Sequence, residues 1–213
     1  MMSRIVLGSG SPRRLELLSL LVDRTRIEVV RPGCDELGFE DAATSDAVNQ
    51  RLKANTMRKL AAVTQQVAVR ESDYVLCADT IVVACDNDRH HVLGKPDGPD
   101  WQQRVTQWFD QFYVRGPHFV RTGFVIARGA DGGCLTFGIE EAEVLFRTDA
   151  MGLLPWYLST NEPLGKAGGY GIQGAGSVFA TNVSGSLSNV IGLPLEAVLA
   201  TLNELQFALG SND

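Results

Sequence analysis

The sequence contains few cysteines and few histidines, and neither type is grouped. Its four cysteines include no Cys-x-x-Cys pair, and its three histidines do not have the spacing of metal ligands. We therefore expect neither a zinc centre nor a disulfide framework, and we interpret the histidines as hairpin and strand-end residues. These residues are Cys34, Cys77, Cys85, Cys134, His90, His91 and His118.

A surplus of positive charge and a long apolar run are also missing. The 213 residues carry a formal net charge of −6, whereas general nucleic-acid binders are basic. The sequence has no apolar stretch of ~18 residues that would span a membrane, and no secretory signal pattern. We therefore expect a cytoplasmic protein without nucleic-acid or membrane partners. If its ligand is a polyanion, a few placed cations and a metal ion must meet that charge.

The length of the chain suits either one α/β domain or two small lobes. The chain is long enough for a substantial core, and its 45% hydrophobic and 21% charged residues are ordinary values for such proteins. Segments of strand type and helix type alternate without regular strand–helix–strand units. We therefore predict one α/β domain over residues 1–213, with a mixed, twisted sheet flanked by helices.

The predicted element boundaries follow from the apolar patterns, the caps and the turn residues. Strands are predicted at 5–7, 26–30, 74–78, 81–84, 120–127 and 141–146, with turns at 86–89 and 131–133. Helices are predicted to begin at Pro12, at Thr44 or Ser45, at Pro99 or Asp100, near 149 and at Leu195, the last continuing to Leu209 before Gly210.

The segment near the N-terminus is the most informative. The apolar run 5–7 is followed by the small-residue turn 8–11, and Pro12 takes the first helical position. A strand, such a turn and a helix N-terminus direct backbone N–H groups at one point, which favours a phosphate. Arg13 and Arg14 add guanidinium groups suited to phosphate oxygens. The alternative is an ordinary strand–turn–helix with solvated arginines, since the glycines form neither a P-loop nor a dinucleotide fingerprint.

Asp79 and Lys95 are two further candidate residues. Asp79 lies between two strongly apolar segments, where a carboxylate is costly to bury unless it is paired, hydrogen-bonded or bound to a metal. It is either a group that holds a divalent ion or activates water, or a strand-end residue bonded to backbone N–H groups. Lys95 follows the predicted hairpin, but alone it is a weak indication because most turn lysines are simply solvated.

A glycine-rich segment over 162–176 is the fourth candidate. It holds five glycines within residues 165–174, which suggests close approach of the backbone to a ligand. Lys166, Tyr170 and Gln173 add a cation, a ring for stacking and an amide that can recognise a base edge. A mobile surface loop is the alternative, although loops of more than ~12 residues with few elements of their own are often functional.

The ordered motifs of the chain resemble a known family. They are Ser9-Gly-Ser-Pro-Arg-Arg14 with Glu16-Leu-Leu18, Asp35-Glu36, Arg51-Leu52, Ala78-Asp-Thr80, Gly94-Lys-Pro96, Thr122-Gly123, Glu162-Pro163 through Gly174, and Asn189 to Leu195. This set spans nearly the whole chain and resembles the Maf family of nucleoside triphosphate pyrophosphatases. The resemblance implies a fold of the Maf and inosine triphosphate pyrophosphatase type, with a cleft between two lobes, and a possible homodimer.

The resemblance also implies an activity and a set of site residues. The activity is hydrolysis of a nucleoside triphosphate to the monophosphate and pyrophosphate, with a divalent cation such as Mg²⁺ or Mn²⁺. The implied roles are those of proton acceptor for Asp79, substrate discrimination for Arg13, Thr80 and Gln173, charged cleft residues for Arg14, Glu36 and Lys95, the phosphate loop for Ser9 and Ser11, and substrate binding for Lys166.

One position departs from the family pattern. The family usually has a lysine five residues after its equivalent of Arg51, and this chain has Thr56 there. Either Lys53 or Lys59 could supply the charge from a neighbouring turn of the helix. The phosphate contact that the resemblance assigns to that lysine is therefore an open question at the level of sequence.

The enzyme hypothesis assigns a role in the reaction to each of the charged residues. Arg13 and Arg14 meet the triphosphate oxygens, and Asp79 with Glu36 holds the metal. Asp79 orients or deprotonates the attacking water, while Lys95 stabilises charge on the pyrophosphate.

Two other hypotheses belong to different functional classes. One is a non-catalytic nucleotide-binding regulator of cell division, which the septum-formation name of the family suggests. The other is a sugar-phosphate binder, which requires an accidental motif match. The joint presence of Asp79, Lys95 and Gln173 favours the enzyme, because a sensor needs no carboxylate to activate water.

The resemblance to the branch with Tyr-Gly-Ile-Gln-Gly predicts a uracil-type base. We expect dTTP and UTP to be used ahead of CTP, with 5-methyl-UTP accepted and 7-methyl-GTP poor. The Gln173 amide offers one donor and one acceptor group to N3–H and a carbonyl of such a base.

Overall fold

The computed structural model describes residues 3–129 and 134–209. In this part of the chain, seven strands form one sheet in the order β2-β1-β3-β5-β6-β7, and β4 pairs with β3 beside that path. The strands are β1 (Ile5–Gly8), β2 (Ile27–Val30), β3 (Tyr74–Asp86), β4 (Arg89–Leu93), β5 (His118–Arg128), β6 (Cys134–Phe146) and β7 (Ala180–Ser184). The helices are α1 (Pro12–Leu18), α2 (Ser45–Gln66), α3 (Trp101–Trp108), α4 (Leu154–Ser159), α5 (Leu187–Ile191) and α6 (Leu195–Glu204).

The sheet is mixed, as predicted. β1 runs parallel to both β2 and β3, whereas every other pairing is antiparallel. Helices cover both faces at this end of the sheet. Leu7 and Leu76 pack with Val198 of α6 on one face, while Val6 and Val75 belong to the cluster of α2 on the other. Coverage of both faces explains why all four β1 residues are buried.

Several predicted local features are confirmed. α1 begins at Pro12, and the Thr44 hydroxyl caps α2 by accepting a hydrogen bond from Ala47 N. The predicted turn at 86–89 joins β3 to β4, with positive φ angles at Asn87 (46°) and Asp88 (65°). Two such residues fit the tight turn of a twisted hairpin.

The prediction of two separate strands around Asp79 is wrong. β3 is one continuous strand over Tyr74–Asp86, so Asp79 lies in its interior and is not a strand-end residue. Its neighbour β5 pairs with β3 throughout this region and places Gly123 opposite Asp79. The cross-strand ladder holds the backbone extended through the polar pair Asp79-Thr80, which a search for apolar runs reads as a break.

The last helix also ends earlier than predicted. α6 stops at Glu204, because Gln206 adopts a positive φ of 59°. The Phe207 N–H then donates to the Leu202 carbonyl and the Gln206 N–H to the Asn203 carbonyl, which is the Schellman arrangement. Gly210, the predicted stop, lies outside the described residues, as does the turn predicted at 131–133.

The sequence patterns do not predict three parts of the fold. β7 and α5 are not expected, and β6 begins at Cys134, seven residues before its predicted start at 141. β7 lies at the edge of the sheet with exposed or half-buried residues and has no apolar alternation. The start of β6 does alternate, with apolar residues at Leu135, Phe137 and Ile139, and the prediction missed this signal.

The fold opens a gap beside β3, and this gap positions the site. Along one edge of β3, Tyr74–Cys77 pair with β1 and Val82–Asp86 pair with β4. The four residues between them, 78–81, have no strand partner on that edge among the described residues, because β1 ends at Gly8. Asp79 and Thr80 lie in this gap, and successive strand residues point to opposite faces of the sheet. Groups from helices on both faces can therefore reach one cleft.

Candidate active site

The cleft has a volume of about 740 Å³ and extends from the turn after β1 to the glycine-rich segment. Its lining includes five cationic side chains and three carboxylates, in a protein whose net charge is −6. The cleft therefore carries a net positive charge within an acidic protein. Such a cleft attracts an anionic ligand and raises its local concentration. These charged residues are Arg13, Arg14, Lys59, Lys95, Lys166, Glu36, Asp79 and Glu162.

The turn between β1 and α1 forms one wall. Ser9 is buried, and its hydroxyl accepts hydrogen bonds from Ser11 N (3.1 Å) and from an Arg14 nitrogen (3.4 Å). Ser11 precedes Pro12 as the cap residue of α1, and its hydroxyl makes no capping hydrogen bond. Arg13 lines the same cleft, and none of the ion pairs among the described residues includes it. Ser11 and Arg13 are therefore available to a ligand.

Arg14 is fixed by three separate parts of the chain. Its guanidinium donates to the Gly192 carbonyl (2.8 Å), to the Thr80 hydroxyl (2.8 Å) and to Ser9 Oγ. Burial lowers the pKa of Arg14, while the nearby carboxylates of Asp79 and Glu36 oppose that shift. An arginine held in this way keeps its charge and presents a rigid donor.

Asp79 points to the opposite face of β3, where it meets α2. Its Oδ1 lies 2.6 Å from Lys59 Nζ, and the same ammonium lies 2.7 Å from Glu36 Oε1. Lys95 approaches the other oxygen of Glu36 at 3.6 Å. Lys59 therefore bridges Asp79 and Glu36, and Glu36 in turn pairs with Lys95. Partial burial acts to raise the pKa of Glu36, but Lys59 and Lys95 hold that pKa below its ordinary value.

The structure decides between the two alternatives for the missing lysine. Lys59 is in the cleft, whereas Lys53 is exposed and lies over the Phe137 ring at 5.2 Å. Thr56 is fully buried one turn before Lys59 and faces the sheet at Gly123, whose hydrogen leaves the room that Thr56 fills. Thr56, where the resemblance places a lysine, is therefore a packing position, and Lys59, three residues later on the same helix face, brings an ammonium group into the cleft.

The glycine-rich segment is folded back on itself by Glu162. One Glu162 oxygen accepts a hydrogen bond from Ala175 N (2.6 Å) and the other from Gly176 N (3.1 Å), so the carboxylate ties together the two ends of the segment. Between these ends, Gly165, Gly168 and Gly169 have φ angles of 70°, 68° and 68°, a conformation that favours glycine. These glycines therefore allow the backbone turns of a loop whose two ends Glu162 holds together.

The three candidate side chains on this loop have different environments. Gln173 is exposed on the cleft, and Lys166 donates to the Glu162 carbonyl (2.6 Å). Partial burial lowers the pKa of Lys166. Tyr170 is buried and its hydroxyl pairs with His118 Nε2 at 2.9 Å within a cluster of aromatic rings. Tyr170 therefore anchors the loop, which does not support the expected stacking role.

Asp79 and Glu36 supply the oxygen ligands that Mg²⁺ and Mn²⁺ prefer. Across residues 3–129 and 134–209, no group of three or more Asp, Glu, His or Cys side chains is arranged to hold a metal ion. Mg²⁺ commonly takes one or two protein carboxylates and completes its shell with phosphate oxygens and water. The pair therefore suits a cation shared with a phosphate ligand, and it is not a closed metal cage.

Sequence reasoning missed the role of Glu162 and did not decide between Lys53 and Lys59. Glu162 was quoted only as part of a motif, and no structural role was predicted for it. Its two backbone partners lie 13 and 14 residues later. Lys59 was one of two alternatives, and only the phase of α2 against β3 separates it from Lys53. A helical wheel placing Val48, Leu52, Lys59 and Val63 on one face would have favoured Lys59, since all four are buried.

The fold and the cleft define an α/β protein built to hold a polyanion among fixed cations. The family model described as "Maf-like protein" matches residues 4–205. The chain therefore belongs to the Maf family, which confirms the resemblance seen in the motifs.

Curated relatives match over nearly the whole chain. The "dTTP/UTP pyrophosphatase" of Syntrophus aciditrophicus (strain SB) is 35% identical over 211 residues, with 99% of this chain and 94% of the relative covered. A protein of the same name from Bacillus cereus (strain B4264) is 35% identical, with 95% and 96% covered. A solved HAM1 protein from Coxiella burnetii aligns with a TM-score of 0.40 at 9% identity, covering 69% of this chain and 74% of that chain. Similarity at that level does not bear on the activity.

Proposed function

We propose that this protein is a nucleoside triphosphate pyrophosphatase that hydrolyses dTTP and UTP to the monophosphate and pyrophosphate. The observation that carries the proposal is the nearly buried carboxylate of Asp79, held by Lys59 in a cleft whose lining also includes four other cationic side chains. A protein that only senses a nucleotide needs no such carboxylate. The names of relatives at 35% identity over nearly full length support the same activity.

In this proposal the triphosphate lies along the turn between β1 and α1. Arg13 and Arg14 meet its oxygens, with the Ser9 and Ser11 hydroxyls beside them. Arg14 is already immobilised by Thr80 and Gly192, so little side-chain entropy is lost when a phosphate binds. Fixed cations of this kind act most strongly on charge that develops during the reaction.

The chemical step belongs to Asp79 and its neighbours. Asp79 orients the attacking water and accepts its proton, while Lys95 stabilises charge on the pyrophosphate. Asp79 and Glu36 would hold a divalent ion, which when bound supplies neutralisation of phosphate charge and polarisation of the phosphoryl group. The water then attacks the α-phosphorus, and the α–β bond breaks with pyrophosphate as the leaving group.

Base selection is assigned to the exposed amide of Gln173, with Lys166 beside it on the same loop. The loop that Glu162 closes fixes where Gln173 stands. A glutamine can flip its amide, so rejection of cytosine depends on backbone groups of the loop. A 5-methyl group is worth about 1–3 kcal/mol in an apolar pocket. UTP, dTTP and 5-methyl-UTP should therefore differ modestly.

The test is a product and specificity assay on the purified protein. It is incubated with dTTP, UTP, 5-methyl-UTP, CTP and 7-methyl-GTP, each with Mg²⁺ and with Mn²⁺, and products are identified by ³¹P NMR. We expect monophosphate and pyrophosphate, with kcat/KM highest for dTTP and UTP. A diphosphate with inorganic phosphate would refute cleavage at the α–β bond, and preference for a purine would refute the role of Gln173. Tight binding of dTTP without any product would instead support the regulator of cell division.

Location and assembly stay predictions. Among the described residues, no helix is both long and apolar enough to cross a membrane. We expect the cytoplasm as compartment and a possible homodimer as assembly. Fractionation of cells that express the tagged chain and light scattering of the purified protein test these two predictions.

A further inference from the structure

We propose that Lys59 is a built-in counter-cation that occupies the place of a divalent ion between Asp79 and Glu36, and that a metal enters there only together with the nucleotide. The proposal deepens the proposed function and rests on it for the nucleotide-bound state alone. Its statement about the nucleotide-free protein stands by itself.

The contacts of Lys59 carry the first step. Its ammonium lies 2.6 Å from Asp79 Oδ1 and 2.7 Å from Glu36 Oε1, so one charge bridges two carboxylates. A metal coordinated by both carboxylates would lie close to these same oxygens. An ammonium at hydrogen-bond distance from both and a divalent ion bound to both would repel each other strongly, since Lys59 and Asp79 are nearly buried and water screens their charges little. In the nucleotide-free protein, the two cations therefore exclude each other.

The surroundings of the pair carry the second step. Lys95 lies 3.6 Å from the remaining Glu36 oxygen, and Arg14 raises the positive charge near Asp79. A divalent ion that entered the cleft without a phosphate would add to this positive charge, and its binding is therefore unfavourable. A triphosphate brings about four negative charges, which reverses this balance and offers new partners to the Lys59 ammonium.

The exchange has a consequence for Asp79. While Lys59 donates to Asp79 Oδ1, that oxygen is engaged and less able to accept a proton from water. When Lys59 turns to a phosphate oxygen, the carboxylate becomes free to orient water and to share a metal with the substrate. Substrate binding itself thereby prepares the base. Lys59 acts here as a positioning residue.

The decisive experiment measures Mn²⁺ binding to the nucleotide-free protein by electron paramagnetic resonance of the free ion. Wild type should show no Mn²⁺ site of appreciable affinity. Lys59→Met keeps the unbranched side chain up to the position of Cε and removes the ammonium, and this variant should bind Mn²⁺ about ten-fold or more tightly than wild type. Adding Asp79→Asn to this variant should abolish the gain. Lys53→Met, which removes an exposed lysine from the same helix, should behave as wild type.

Two outcomes overturn the proposal: a wild-type protein that binds Mn²⁺ as tightly as Lys59→Met does, or a Lys59→Met variant without any gain. Lys59→Gln is titrated in parallel, with circular dichroism to verify that each variant is folded. The wild-type titration remains decisive if both variants unfold, because a tight Mn²⁺ site without nucleotide contradicts the proposal, and its absence there supports it. No arm depends on turnover, so failure of the pyrophosphatase assay and failure of this proposal are separate results.

Discussion

Lys59 and Asp79 form an ion pair of 2.6 Å between α2 and β3, with only 9% and 7% of their side chains exposed. A charge buried to this degree is costly unless it is paired. Both residues also serve the fold, because the pair joins the helix to the sheet at the point where β1 has ended. The site and the packing of α2 are therefore coupled, and variants must be tested for both activity and stability.

Asp79→Asn is expected to lower turnover by about 10²-fold or more, because the proposed mechanism makes Asp79 the proton acceptor and a ligand of the shared metal. The side chain keeps its shape, and Lys59 retains Glu36 as partner, so the fold should persist. Steady-state kinetics with dTTP and a thermal melt measure the two effects. Turnover close to wild type would remove Asp79 from the mechanism.

Lys59→Ala is expected to reduce turnover strongly, by roughly 10²-fold, and to lower the free energy of unfolding by about 1–3 kcal/mol, because two carboxylates lose their common partner. Lys53→Ala is the matched control, since this lysine is exposed and lies over Phe137. It should change neither quantity by more than the error. If Lys53→Ala gave the larger loss, the assignment of the charge to Lys59 would be wrong.

Thr56→Lys should not improve the enzyme, although it restores the usual residue of the family. Thr56 is fully buried and packs onto Gly123. A lysine there overfills the contact, at a cost of about 1–3 kcal/mol, and brings a second cation close to Lys59. We expect a lower melting temperature with unchanged or reduced kcat/KM. A clear rise in kcat/KM would indicate that Lys59 only partly replaces the family lysine.

Glu162→Gln should weaken substrate binding more than it slows the chemistry. The Glu162 carboxylate accepts two backbone hydrogen bonds that close the glycine-rich loop, and hydrogen bonds to a charged group are worth about 1.5–3 kcal/mol. We expect KM for dTTP to rise about ten-fold with a smaller change in kcat. Glu204→Gln, on the exposed side of α6, is the control. A large fall in kcat at constant KM would instead place Glu162 in the chemical step.

His118 should make the protein less stable in mild acid. Burial lowers the pKa of His118 to about 3, whereas an unfolded histidine titrates near 6.5. Between these values the unfolded state binds the extra proton, so stability falls as pH decreases from 6.5. The loss is about 2 kcal/mol between pH 7 and pH 5. Urea unfolding should show this loss for wild type and its absence for His118→Gln.

Asp73 should lower stability in a more acidic range of the same plots of unfolding free energy against pH. Hydrogen bonds from Arg70 and Arg4 outweigh the effect of burial and hold the pKa of Asp73 at about 2. Its contribution to stability is present above the unfolded value near 3.9 and is lost as pH falls towards 2. The wild-type and His118→Gln curves should therefore separate progressively from pH 6.5 down to about pH 3, and below the unfolded value near 3.9 both curves also lose the contribution of Asp73. Parallel curves over the whole range would refute the role of His118.

Two helix starts and one hairpin turn were predictable because their signals are adjacent in sequence. Pro12 starts α1, Thr44 caps α2, and Asn87 with Asp88 turn the hairpin, each through interactions within a few residues. The end of α6 was not predictable in this way. There Gln206 adopts the left-handed conformation that glycine more often takes, and two backbone hydrogen bonds compensate for it.

Residue identity and short spacing were enough to predict the chemical groups of the site: guanidinium groups after a Gly/Ser turn, one carboxylate within an apolar stretch, and a glycine-rich loop with an amide. The contacts among these groups became visible only in the folded chain. The early end of β1 opens the edge of β3 at Asp79, and the phase of α2 selects Lys59 over Lys53. Both depend on strand register and helix rotation, which contacts between residues far apart in sequence fix, and the apolar face of α2 only indicates the rotation.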